Sequence, residues 1–82
     1  MGLDTVELII AFEDRFGVKI ADEIAATLVT PRKVVDFLMT TPVATLISRE
    51  EVGAIVRETI IEQTGTADFH EDSHFVYDLN LD

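Results

Sequence analysis

The sequence predicts an all-α fold, a small bundle of three main helices and one short one. Two observations carry this expectation. Apolar residues recur at three- and four-residue spacing in three separate stretches. Each stretch opens on a helix-start signal: Asp4 with Glu7, Thr30 with Pro31, and Ser48 with Glu51.

The first helix is predicted over residues 4–16. Asp4 and Glu7 fit a capping box, and Gly17 is a natural stop. Leu8, Ile9, Phe12 and Phe16 form a core stripe, while Val6 and Ile10 form a separate pair one turn apart, read as exposed. Val18-Lys19-Ile20 is read as a short extended link, followed by a brief helix over residues 21–27. Thr30-Pro31 supplies a hydroxyl cap and a proline at the first helical position. That helix should run to about residue 39, burying Val34, Val35, Phe37 and Leu38 in part, before Thr41-Pro42 ends it. Residues 40–47 then serve as a connector. Ser48-Arg49-Glu50-Glu51 opens the last helix, whose core positions are Val52, Ile55, Val56, Thr59 and Ile60 and whose end lies near Thr64-Gly65. From residue 66 onward the expectation is a loop with one turn, pinned by Phe69, Phe75, Tyr77 and Leu79.

Eighty-two residues make one domain, with a core near the lower limit for independent folding. At 48% hydrophobic, the composition is too apolar for a disordered chain. With no cysteine, neither disulfides nor thiolate metal sites support the fold. No apolar run approaches the ~20 residues that span a bilayer, and no signal-peptide pattern is visible, so a cytoplasmic location is expected. Sixteen acidic residues against six basic ones give a formal charge of −10. Such a surface repels phosphate backbones and anionic lipids, so nucleic-acid and membrane partners are not expected. It suits docking on basic patches of other proteins, and it also simply keeps a small domain soluble.

Two further blocks lie at opposite ends of the chain. The start reads Leu3-Asp4-Thr5-Val6-Glu7-Leu8, then Glu13-Asp14 and Phe16-Gly17. The end reads Ser73-His74-Phe75-Val76-Tyr77-Asp78-Leu79-Asn80-Leu81-Asp82. Joined tail to head, they resemble the centre of an acyl carrier protein, DLGxDSLDxVEL…FG. Residues 50–65 resemble that family's first helix and residues 73–82 its long loop. Residues 3–17, 21–27 and 30–39 resemble its recognition helix, short helix and last helix. The order here is reversed, so the chain reads as a circular permutant of the carrier fold. Residues 1–39 hold the recognition helix through the last helix, 40–47 the connector, and 48–82 the first helix and loop. Permutation is tolerated where old ends lie close and the new break falls in an exposed loop, and it predicts that Met1 and Asp82 are neighbours. A domain-swapped dimer, with residues 48–82 packed on a second copy, is the competing geometry to a monomer.

The resemblance implies a non-enzymatic carrier of fatty-acid or polyketide-type biosynthesis, whose serine holds 4′-phosphopantetheine. Aligned through LDTVEL, Gly2 occupies the serine position and Asp82 that of the preceding aspartate. Glycine has no side-chain nucleophile, so Gly2 cannot carry the arm and no cofactor is expected. Ser73, which follows Asp72, is the alternative attachment point. The resemblance further implies a docking face made of Asp4, Val6, Glu7, Ile10, Glu13, Asp14 and Asp82. Its partners would be acyl-processing or phosphopantetheinyl-transferase-type enzymes with basic docking patches. Arg15 and Lys19 depart from an all-acidic face. From the residues alone, the same positions read as a solvated helix face carrying two apolar side chains.

His70-Glu71-Asp72-Ser73-His74 matches H-E-x-x-H, in which two histidines one helical turn apart bind zinc. The segment falls in a predicted loop, so no metal site is expected, and a small metal-binding protein using His70 and His74 stands as an alternative. No G-x-S-x-G motif or phosphate-cradling glycine loop appears, and no enzymatic activity is expected.

Overall fold

Leu8, Ile9 and Phe12 lie on one side of a helix, and that side is where the first element is buried. The structure, a computed structural model, describes residues 5–81. The described residues form four α-helices and one 3-10 turn, with no strand among them. Helix α1 spans Thr5–Phe16. Gly17 closes it with φ of 65°, a left-handed conformation that glycine adopts without a Cβ penalty, and its N–H donates to the Glu13 carbonyl at 2.8 Å. The capping role assigned to Asp4 and the proximity of Met1 and Asp82 lie outside the described residues.

Helix α2 is a single turn, Asp22–Ala25, shorter than the predicted 21–27. Its cap residue is Ala21, which offers no side-chain acceptor. At the other end the Thr27 hydroxyl donates to the Ile24 carbonyl at 2.7 Å, taking an oxygen that a longer helix would use. Helix α3 covers Pro31–Leu38, and the Thr30 hydroxyl accepts from Lys33 N–H at 3.2 Å as the cap requires. Thr40 and Thr41 cap the other end by donating to the Phe37 and Leu38 carbonyls, each at 2.6 Å.

The connector has structure of its own. Pro42–Thr45 forms a 3-10 turn, capped by Thr41 and burying Val43. Thr41-Pro42 therefore ends one helix and starts the next turn, the same hydroxyl-proline chemistry that opens α3. Helix α4 spans Arg49–Thr64 and opens on a complete capping box between Ser48 and Glu51. Gly65, with φ of 75°, ends it.

Helix α4 packs against both α3 and α1. Leu8, Phe12, Val34, Leu38, Val52, Val56 and Ile60 meet in the core, with Thr59 buried among them. The Thr59 hydroxyl is satisfied by donation to the Ile55 carbonyl at 2.8 Å, so its burial leaves no unpaired polar atom. Ile55 itself is only half-buried, at the edge of the predicted stripe.

The remaining core comes from the loop after Gly65. Phe75 is 1% exposed, and its N–H donates to the Val29 carbonyl at 2.9 Å. Leu81, which the sequence did not single out, is buried and donates to the Phe75 carbonyl. Phe69 and Leu79 pack partly against the core as expected. Tyr77 does not: it is 80% exposed and stacks instead on the His74 ring at 4.3 Å. The turn that buries Phe75 carries Tyr77 outward, and the amphipathic tyrosine tolerates that position. The loop is fastened to α3 by Arg32, whose N–H donates to the Glu71 carbonyl at 2.8 Å and whose side chain forks onto Asp72 at 2.7 and 3.2 Å.

Phe75→Ala removes a fully buried ring from the core. It should cost about 3–5 kcal/mol, against roughly 4–12 kcal/mol for a chain of this length. Urea unfolding followed by circular dichroism reads this as a large drop in midpoint. The same measurement on Tyr77→Ala should shift the midpoint little.

Candidate functional site

At 3.6 residues per turn, Leu8, Phe12, Phe16 and Ile9 fall on one side of α1. Glu13, Val6, Ile10, Asp14 and Glu7 fall within an arc of about 120° on the opposite side. The core buries Leu8, Ile9 and Phe12 of the first set, with Phe16 packed partly against it, and so turns most of the second outward. Val6 is 63% exposed and Ile10 49%, and Glu7 and Asp14 are exposed with them. Glu13 differs: it is half-buried, and its Oε2 accepts from Ile20 N–H at 2.7 Å. That carboxylate holds the link after α1, leaving Glu7 and Asp14 as the outward acids of the described face. Asp4, Asp82 and Gly2 lie outside the described residues.

Beside this face is a groove of about 690 Å³ walled by α1, the α2 region and the loop. Val6 and Ile10 line it on one side, Phe75 and Val76 on another, with Ile20 and Leu28 between. Val76 is itself 38% exposed. Three of the large exposed apolar side chains thus share one concave surface. The sequence pointed to Val6 and Ile10 through their one-turn spacing. It gave no signal for Val76, which reaches the groove only because Phe75 beside it is buried.

Arg15 does not sit on this face. It reaches across to α4, where its guanidinium meets Glu58 at 2.8 Å and Glu62 at 2.9 Å. The cation that seemed to interrupt an acidic surface in the sequence is spent on joining two helices. The hydrogen bond from Arg15 holds the Glu58 carboxyl below its usual range, and the one from Arg32 does the same for Asp72.

The H-E-x-x-H segment is not helical. Residues 70–74 form a turn in which the Ser73 hydroxyl accepts from His70 N–H at 2.9 Å. Nδ1 of His70 accepts from Asp72 N–H at 3.2 Å, and Nδ1 of His74 accepts from Val76 N–H at 3.1 Å. Each ring thus has one nitrogen committed to the local backbone. Among the described residues, no group of three or more His, Asp or Glu side chains has the arrangement to hold a metal ion. Ser73 is only 5% exposed, so its oxygen faces the turn that it stabilises and no helix begins beside it.

Among the described residues, no helix is long and apolar enough to cross a membrane. No family model matches the chain, and no solved structure matches it.

The lowered carboxyls set an acid limit. A folded pKa below the unfolded one adds stability above the usual carboxylate range and loses it as pH falls through the folded value. Between pH 7 and about 5 that stability is intact while the net negative charge shrinks, so the urea midpoint should hold or rise. Below about pH 4 it should fall. Asp72→Asn and Glu58→Gln should each make the acid fall shallower, by a small amount because both pairs are exposed. Urea midpoints at three pH values for wild type and both variants check this.

Proposed function

We propose that this chain is an acyl-carrier-like docking domain in permuted order, without enzymatic activity of its own. It engages acyl-processing or phosphopantetheinyl-transferase-type enzymes through α1. The observation that carries this reading is the concave apolar surface of Val6, Ile10 and Val76 flanked by Glu7 and Asp14. A basic patch with an apolar centre is the complement of that surface, the charge speeding encounter and the apolar contact holding the complex.

Two features support the carrier resemblance beyond sequence spacing. Asn80 stands where the DLG motif has glycine, and its φ of 60° is the left-handed conformation that glycine serves and asparagine tolerates. Thr5 and Val6 line the same groove as Phe75 and Val76, so the start of α1 and the late loop border one surface. That adjacency is what a break opened within one loop leaves behind.

The residues present do not fit the family's prosthetic group. Gly2 offers no hydroxyl, and the Ser73 oxygen is buried and hydrogen-bonded. We therefore read the domain as one that docks without carrying an acyl arm. Light scattering separates a monomer from a domain-swapped dimer with residues 48–82 packed on a second copy.

Incubation with coenzyme A and a broad-specificity phosphopantetheinyl transferase, followed by intact mass, tests the uncharged state. No mass gain is expected; a pantetheinylated product sinks that part of the reading and directs attention to Ser73. Docking is tested by pull-down with carrier-dependent enzymes. Ile10→Asp and Glu7→Lys should each abolish or sharply weaken binding, and Ile10→Asp, at an exposed position, should leave the unfolding free energy within about 0.5 kcal/mol of wild type. Retained binding in both variants rejects α1 as the docking face.

A further inference from the structure

Helix α3, helix α4 and the start of the loop enclose a second groove, of about 710 Å³. Arg32, Arg49 and Arg57 all line it. The chain has only six cationic residues in a total charge of −10, so three arginines on one groove are a marked concentration. Two of them are already answered: Arg32 by Asp72 and Glu71, and Arg49 by Asp36. Arg57 is not. Its guanidinium donates to the carbonyl oxygens of Ala67 at 2.8 Å and Phe69 at 3.1 Å and lies 4.6 Å from the centre of the Phe69 ring. No carboxylate among the described residues is paired with it.

Gly53 is the second, independent observation. It sits inside α4, where glycine weakens a helix relative to alanine. Neither backbone nor packing calls for it. Its φ is not positive, and a Cβ built there would meet nothing within 4 Å. What its missing side chain does provide is room, because Gly53 lines this groove. Arg49, Gly53 and Arg57 are spaced by four along α4 and so share one helix side, with the gap between the two cations. Val35 and Val56 supply apolar lining.

We propose that this groove binds a small organic carboxylate with an apolar body. The carboxylate pairs with the Arg57 guanidinium, and the apolar body lies over Gly53 against Val35 and Val56. A single anionic group is specified by the surroundings. Glu50 and Glu71 also line the groove, and the whole surface is acidic, so a polyanion is repelled where one charge is matched. The volume falls in the range of small-molecule pockets. This site is separate from the α1 face and stands or falls without it.

Titrating the isotope-labelled full chain with 4-phenylbutyrate, and in parallel with the uncharged 4-phenylbutanol, tests the assignment by amide chemical shifts. The carboxylate should give saturable shifts at Gly53, Val56, Arg57 and Phe69 in the millimolar range or tighter, about what a fragment of this size achieves. The alcohol should bind roughly tenfold more weakly or not at all. Arg57→Gln should weaken the carboxylate by a similar factor. Because Arg57 also fastens the loop, Gly53→Leu serves as the second variant. A Cβ at position 53 meets nothing within 4 Å and leucine favours the helix, so the variant should raise the unfolding midpoint, and its side chain should occupy the gap and abolish the shifts. Equal binding of acid and alcohol, unchanged binding in Gly53→Leu, or no saturable shift up to the solubility limit of the probe overturns the proposal.

Discussion

Phe75 is the residue on which the rest of the arrangement depends. Three helices of 8 to 16 residues make only a small core, and here they leave one side of it to the loop. The gap is closed from the loop, which inserts the Phe75 ring and the Leu81 side chain and ties its backbone to Val29 and Arg32. A segment without helix or strand is therefore part of the core. Its polar backbone is tolerated there because carbonyls and N–H groups from α3 and its approach, and the Arg57 guanidinium, meet it at several points.

That constraint places both surfaces of interest. Burial of Phe75 puts Val76 on the wall of the groove beside α1, next to Val6 and Ile10. Fastening of residues 67–72 to Arg32 and Arg57 builds the wall of the other groove. The charges follow the same division. Arg15 is drawn to Glu58 and Glu62 between helices, leaving α1 outwardly acidic and apolar, while the arginines that line the second groove bind the loop or neighbouring acids. A chain with few cations uses most of them to hold elements together, and Arg57 is the arginine that does so without neutralising its charge.

The sequence was most informative where a side chain acts on its own backbone. Thr30-Pro31, Ser48 with Glu51, Gly17 and Gly65 each mark a helix end through local chemistry, and each does so in the structure. The apolar stripe of α1 and the exposure of Val6 and Ile10 were legible for the same reason, since a helix converts spacing directly into direction. Loops offer no such conversion. Phe75 and Tyr77 are two apart and both aromatic, yet one is buried and the other exposed. Ser73 and Leu81 are buried without a local pattern that says so. Glu13 turned inward because a backbone N–H seven residues on needed an acceptor, which no helical projection reveals. The Arg49-Gly53-Arg57 spacing was present in the sequence, but its meaning depends on Arg32 and Phe69 arriving from other elements.

The docking reading and the second groove both assume that the loop is as firmly held as the helices. Native-state amide hydrogen exchange tests this most directly. If the loop completes the core, the amides of Arg32 and Phe75, which bond across to the loop and to Val29, are protected nearly as strongly as those in the centre of α4. Exchange of Phe75 at the rate of an unstructured peptide, with α4 still protected, would contradict it.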